Sequence, residues 1–251
     1  MNLTKTAPIL FFLMAGLAAS TTPGWAAGSV TVHTSGNNTP VQLKNVARLA
    51  DAVTAPQVHS DWWRGAVISY QGASIKMEQE HQKLLADLDA LATDEGGNSG
   101  AAIQALRAQL ALVKVTGRQL VRLDPDWLRL HNQQNVPLEG QYQLWLPTQP
   151  NTVTVLGLVS KPETVAFTPG KSVADYLDDQ SLLSGAERSY AWVIYPDGKT
   201  EQVPVAYWNK RHIEPSPGSL IFVGFGSHLF SSSWDALNKR ILTSLTHRIP
   251  D

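Results

Sequence analysis

Cysteine is absent from all 251 residues. That removes disulfides and thiol catalysis together, and it removes the residue through which some exported proteins carry a lipid anchor. Net charge is missing too. The 20 Lys and Arg nearly cancel the 21 Asp and Glu, with no basic stripe and no acidic tract. Nucleic acid and cation-rich partners are therefore excluded as classes, and recognition falls to shape and local groups. No apolar run reaches the roughly 20 residues that a spanning helix needs, which excludes a multispanning membrane protein. Catalytic patterns are also lacking. The seven histidines show no H-x-x-x-H or His-Asp spacing, and neither a G-x-S-x-G elbow nor a phosphate-cradling glycine loop ahead of a helix occurs. Paired carboxylates stand at Asp124 and Asp126 and at Asp178 and Asp179, but turns and helix ends favour solvated carboxylates for structural reasons. No catalytic residue, metal site or cofactor is expected.

What is present begins with an export signal. Lys5 supplies a positive charge, Ala7 to Ala19 an apolar core, and Gly24-Trp25-Ala26 a small-x-small cleavage pattern. Residues 1–26 therefore read as a signal peptide cut after Ala26, and the mature protein as periplasmic.

The most legible stretch is Val153 to Phe225. Alternating Val153, Val155 and Leu156 to Val159 give a strand ended by Lys161-Pro162, and Thr164 to Phe167 gives a second, closed by Pro169-Gly170. Ser172 then stands at an N-cap ahead of Val173, Tyr176 and Leu177, which share one helical face. Tyr190 to Tyr195 and Thr200 to Val205 form a hairpin around Pro196-Asp197-Gly198-Lys199. After Pro215-Ser216-Pro217-Gly218, Leu220 to Phe225 is the last strand. In this order the elements resemble the SLBB type of β-grasp domain found in outer-membrane polysaccharide export proteins. The carriers of the resemblance are the V-x-V-x-G-x-V strand, Gly170-Lys171-Ser172-Val173, Asp197-Gly198 and the Pro-Gly before the last strand.

The preceding region repeats the pattern. Val30-Thr31-Val32 and Val41 to Leu43 read as strands, Asn45 as the cap of a helix with Val46, Leu49, Ala50 and Val53 on one face, and Ala66 to Tyr70 as a further strand. Pro137 to Leu144 lines up with Pro215 to Phe222, which requires about 45 extra residues inside the first copy. From Ser74 to Val115 there is no proline. Met77, Leu84, Leu88 and Leu91 make one apolar stripe, and Ile103, Leu106, Leu110 and Val113 another, with glycine-bearing Thr93 to Gly100 between them. An antiparallel helical hairpin is predicted, each helix burying the other's stripe. Arg118 to Leu123 then resumes the sheet, and Asp124-Pro125-Asp126-Trp127 starts a turn or short helix.

At the carboxyl end, Ser231-Ser232-Ser233 offers a cap, and Trp234, Leu237, Ile241, Leu245 and Ile249 form a stripe widened by Leu242. Lys239, Arg240 and Arg248 occupy other faces. A basic amphipathic helix about 24 Å long results. It either docks on its own protein or meets a membrane surface or partner through Trp234, Leu237, Ile241 and Leu245.

The expected fold class is α+β: two tandem β-grasp (SLBB-like) domains, a helical hairpin inserted in the first, and a carboxyl-terminal amphipathic helix. The expected boundaries are 27–149 with the insert at about 74–115, then 150–230, then 231–251. This arrangement is similar to the GfcC-like capsule biosynthesis family, which includes the YjbG-type proteins of exopolysaccharide operons. The resemblance implies a periplasmic, non-enzymatic accessory protein of polysaccharide assembly or secretion, with the secretion machinery or the polysaccharide as partner.

Candidate ligand-binding residues come from the residues themselves. Trp62 and Trp63 lie between Asp61 and Arg64, and Tyr207 and Trp208 precede Asn209-Lys210-Arg211. Large aromatics beside polar forks stack on sugar rings, and they also serve as packing. Arg118 follows Gly117 where the hairpin rejoins the domain. It is expected in a cleft between sheet and hairpin, holding an acidic sugar or phosphate or paired with Asp61 or Asp124. Two alternatives to the accessory role follow: a carbohydrate-binding protein or enzyme acting on the nascent polymer, and a membrane-associated oligomer using the last helix.

Overall fold

The computed structural model describes residues 27–37, 39–226 and 232–250. The segment read as a signal peptide and the Ser231 cap lie outside the described residues. The first half contains β1 (Gly28–Thr34), β2 (Val41–Val46), α1 (Leu49–Val53), β3 (Val67–Tyr70), α2 (Gln71–Glu95), α3 (Gly97–Ala111), β4 (Arg118–Gln119), α4 (Pro125–Leu130) and β5 (Gln141–Leu146). The second contains β6 (Thr152–Gly157), β7 (Glu163–Ala166), α5 (Val173–Leu177), β8 (Tyr190–Ile194), β9 (Thr200–Pro204), β10 (Leu220–Val223) and α6 (Ser232–Thr246).

Two five-stranded sheets result, ordered β2-β1-β5-β3-β4 and β7-β6-β10-β8-β9. The orders are the same once each strand is matched to its counterpart, so the repeat read from the sequence is a repeat of topology. In each, one parallel pair lies at the centre, Val30 opposite Tyr142 in one and Leu220 opposite Thr154 in the other. The remaining pairings are antiparallel. This is the β-grasp arrangement, and the fold class is α+β.

Local chemistry explains most boundaries. Ser172 and Asp175 form a reciprocal capping box: the Asp175 carboxylate accepts from the Ser172 N–H at 2.9 Å and the Ser172 hydroxyl accepts from the Asp175 N–H at 3.3 Å. Asp124 caps α4 in the same sense, accepting from the N–H groups of Asp126 and Trp127.

Asn45 does not cap a helix. It sits inside β2 at φ 58°, where the register of β1 against β2 shifts between Gly28 and Val30. Asparagine tolerates this left-handed conformation, and the extra residue makes a bulge. The helix begins at Leu49 behind Arg48, so its buried residues are Leu49, Ala52 and Val53. The strand expected over Arg118 to Leu123 is only two residues long.

The hairpin starts and ends earlier than its composition suggested, and its turn is tighter. α2 runs straight out of β3, and Gly96 at φ 60° alone separates it from α3. Asn98, Ser99 and Gly100, expected in the linker, are the first turn of α3. A Cβ at Gly100 would collide with the Ala92 carbonyl, so the close approach of the two helices requires glycine there.

The two helices do not merely bury each other. Leu84, Leu88, Ile103, Leu106 and Leu110 share one core with Leu156, Leu158, Ile194 and Phe222 of the second sheet and with Leu237, Ile241, Leu242 and Leu245 of α6. The insert of the first half thus forms, with the last helix, the layer that covers the second sheet. The other face of that sheet packs Val155, Val193 and Ile221 on Val173 and Tyr176 of α5, and the first sheet keeps its own core around Val30, Leu49 and Leu144.

Polar contacts fix the helical layer in place. The Gln109 side chain accepts from the Gly157 N–H at 2.8 Å and donates to the Gly157 carbonyl at 3.0 Å. Gly157 stands at φ 114°, and a Cβ there would strike the Val223 carbonyl. Asn238 of α6 grips the Phe225 backbone in the same two-point manner, at 2.9 and 2.8 Å. Arg240 reaches Asp87 across the α6–α2 contact at 2.7 Å. Beyond α6, the chain lies against the segment that leaves the hairpin: the Thr116 N–H donates to the His247 carbonyl and the Ile249 N–H to the Lys114 carbonyl, both at 2.8 Å.

His81 of α2 is buried against Ser244 of α6, Nδ1 to Oγ at 2.6 Å. Burial holds its pKa below the usual 6.5, against a smaller raising effect from the Leu110 carbonyl. A depressed histidine contributes its full stabilisation above pH 6.5. That contribution is lost as the pH falls below 6.5, because the unfolded chain takes up the proton first. Urea midpoints measured from about pH 8 to about pH 5 should therefore fall more steeply for the native protein than for His81→Gln. Equal slopes would contradict a neutral His81 in the α2–α6 contact.

Candidate functional site

Arg118 lies where the two sheets and the last helix meet. β4 places it on the edge of the first sheet, opposite Ser69 of β3. Its side chain reaches across, donating to the Pro196 carbonyl in the β8–β9 turn at 2.6 Å and to the Thr246 carbonyl at the end of α6 at 3.3 Å. The residue is buried at 7% exposure. Burial pushes the guanidinium pKa down to about 10, with Asp197 opposing the shift, so it stays charged at neutral pH.

The acceptors are main-chain carbonyls of the second half, and neither Asp61 nor Asp124 forms an ion pair with Arg118 among the described residues. The expected cleft also differs in kind. It lies between the two halves of the chain and not between a sheet and the hairpin.

Beneath Arg118, Ser69, Ser74 and Thr116 form a buried hydroxyl cluster at 2.9 to 3.4 Å, and the Ser74 Oγ also accepts from the Gly117 N–H. That cluster fastens the root of the hairpin to the first sheet and fixes the residue that precedes Arg118.

Arg118 separates two cavities. One, of about 320 Å³, is lined by Trp62, Thr148, Thr154, Thr164 and Arg248. The other, of about 590 Å³, is lined by Trp63, Arg64, Arg122, Asp124, Asp197 and Lys199. Arg248 donates to the Gly218 carbonyl at 3.0 Å, so it too bonds to the backbone of the second half. Arg64 lies 6.0 Å from the ring of Tyr195, whose hydroxyl donates to Glu201 at 3.0 Å. Burial, then Glu201, pushes that phenol up to about 12.

The aromatic candidates divide. Trp62 and Trp63 are half-buried and line the two different cavities, Trp63 packing on the core of the first sheet. Tyr207 and Trp208 are exposed, at 103% and 73%, on the loop after β9. The structure does not gather these four into one platform. Of the last helix, Leu237, Ile241 and Leu245 are buried in the shared core and Trp234 packs on Phe225 with the rings tilted, 4.6 Å between centroids. The helix docks on its own protein, and the face read as a membrane or partner contact is covered.

Two family models match the chain in tandem. "Capsule biosynthesis GfcC, N-terminal" covers residues 26–149 and "Capsule biosynthesis GfcC C-terminal" covers residues 161–250. The chain belongs to the GfcC capsule biosynthesis family. It is also 50% identical over 226 residues, 90% of this chain and 92% of the relative, to a protein of Escherichia coli (strain K12) named as the uncharacterized protein YjbG.

In this GfcC chain the signal that sequence reasoning missed was the acceptor of Arg118. Backbone carbonyls carry no residue signature, so only the turn Pro196-Asp197-Gly198-Lys199 stood out in the sequence, as a hairpin. Among the described residues no three His, Asp or Glu side chains converge in a metal-binding group, and no helix is long and apolar enough to cross a membrane.

Proposed function

We propose that this GfcC-family protein is a periplasmic, non-enzymatic accessory component in the assembly or secretion of a capsule or exopolysaccharide. The observation that carries this reading is the tandem match of both capsule biosynthesis models across nearly all of the chain outside the first 25 residues. The signal-like pattern ending at Ala26 supports the compartment. The geometry supports a scaffold: the most deeply buried charge, Arg118, spends its donors on main-chain carbonyls that hold the two halves together. The polysaccharide secretion machinery is the partner this reading favours. A second reading, direct sugar binding, draws support from the cavity between Trp62, Arg118 and the threonines, whose mixture of ring, hydroxyl and cation suits a saccharide.

Deleting the gene is expected to reduce surface polysaccharide sharply while leaving the cytoplasmic pools of activated sugars intact. The protein released by osmotic shock is expected to start at Ala27. Unchanged surface polysaccharide in the deletion strain would overturn the role, and retention of the full-length chain in the cytoplasm would overturn the location.

A further inference from the structure

The helical layer over the second sheet stops short at one end. Ile194 of β8 lies under it; Trp192, two residues back on the same face, packs half-buried against its margin, and Tyr190, four back, is exposed. Gln202 of β9 pairs with Trp192 in register, and Asp235, Asn238 and Lys239 of the first turns of α6 line the same space. Between them lies a cleft of about 360 Å³ lined by Glu187, Tyr190, Trp192, Gln202, Asp235, Asn238 and Lys239. That volume is in the range of small-ligand sites. The cleft lies on a different surface from the two cavities flanking Arg118 and shares no lining residue with them.

The polar groups around this cleft are largely unspent. Asn238 is occupied at both ends by Phe225, and Glu187 gives one oxygen to the Ser189 N–H at 2.7 Å. No other side chain there has a hydrogen-bond or ion-pair partner among the described residues. That leaves the Tyr190 hydroxyl, the Trp192 indole N–H, the Gln202 amide, the Asp235 carboxylate and the Lys239 ammonium available. Elsewhere the chain uses such groups: Lys210 pairs with Asp175 and Arg240 with Asp87, at 2.8 and 2.7 Å. A half-buried indole beside five directional polar groups offers a ring face for C–H contacts and both donors and acceptors for hydroxyls. Two carboxylates against one ammonium leave the cleft locally negative, which disfavours a carboxylate-bearing ligand.

We propose that this cleft binds one neutral or amino-bearing pyranose of a polysaccharide chain, its C–H face against Trp192 and its hydroxyls bonded to Gln202, Asp235 and Glu187. The proposal rests on the reading that the protein meets a polysaccharide, and it names where and by which sugar chemistry.

The test is calorimetric titration of the mature full chain with three probes: N,N′,N″-triacetylchitotriose, trigalacturonate, and oligosaccharides released by partial hydrolysis of the organism's own surface polysaccharide. Binding of the hydrolysate is expected, with trigalacturonate about tenfold weaker than the neutral trisaccharide, a difference of about 1.4 kcal/mol. Asp235→Asn and Gln202→Ala alter exposed side chains and leave the core intact. Each is expected to weaken binding about five- to tenfold, and Trp192→Phe to weaken it while keeping the packing. No heat with the hydrolysate, undiminished binding in both exposed-residue variants, or a preference for trigalacturonate overturns the site. If deletion of the gene abolishes surface polysaccharide while the titrations fail, this inference falls together with the sugar-binding reading, and the accessory role stands. If deletion leaves the polysaccharide unchanged, the proposed role falls whatever the titrations show.

Discussion

Phe222→Ala is expected to lower the unfolding free energy by about 3–5 kcal/mol and to loosen the hairpin and the last helix together. Phe222 is fully buried on β10, with β6 on one side and β8 on the other. Its cluster draws on three segments far apart in sequence: α2 and α3 inserted in the first half, the second sheet, and α6. Removing the ring leaves a cavity that a sheet residue, held by ladders on both sides, relaxes only partly to fill. Urea unfolding measures the total loss, and amide exchange shows where it falls. Protection should drop in α2, α3 and α6 alike, because all three depend on the same surface. A matched Val30→Ala change in the core of the first sheet should spare α6. Loss of protection confined to the second sheet would mean that the hairpin stands on its own.

That shared core also marks the limit of what the sequence disclosed. Period-two alternation and the turn residues identified most of the strands, and Ser172 with Asp175 three residues on identified a helix start. Both signals are local, written within a few residues of the feature they specify. The stripe Met77, Leu84, Leu88 announced that one face of α2 is covered, but a stripe does not say what covers it. One clue was present. Leu85, Ala92 and Ala102 are also buried, which makes the apolar face wider than two helices need for each other. A third surface had to exist, and α6 with the second sheet supplies it.

Asn45 misled for the opposite reason. Its side chain favours helix caps and left-handed bulges alike, and only the pairing of β1 with β2 decides between them. For Arg118 the place on the strand after the hairpin was legible, and the cleft and the partner were not. The rule that buried charges seek opposite charges points to Asp61 or Asp124, yet a guanidinium carries five donors that carbonyls satisfy equally well.

Arg118→Ala is the second large effect, expected at about 2–5 kcal/mol. The carbonyls of Pro196 and Thr246 would both lose their charged donor. A buried carbonyl stripped of its partner costs about 1–3 kcal/mol. Two such losses also free the β8–β9 turn from β4, while the end of α6 keeps its backbone bonds to Lys114 and Thr116, so the seam between the two halves should open at that turn, visible as an increased radius of gyration in solution scattering. Arg118→Lys separates charge from geometry. Its single ammonium lacks the planar fork that spans two acceptors, so it should recover about half of the loss. Arg118→Ala should not change the pH dependence of stability between about pH 5 and pH 8, because the native guanidinium, at about 10, does not titrate there. Native stability and native dimensions in Arg118→Ala would show that the shared core and the backbone bonds around it hold the halves without this side chain, and that the guanidinium between the two cavities is kept for a ligand.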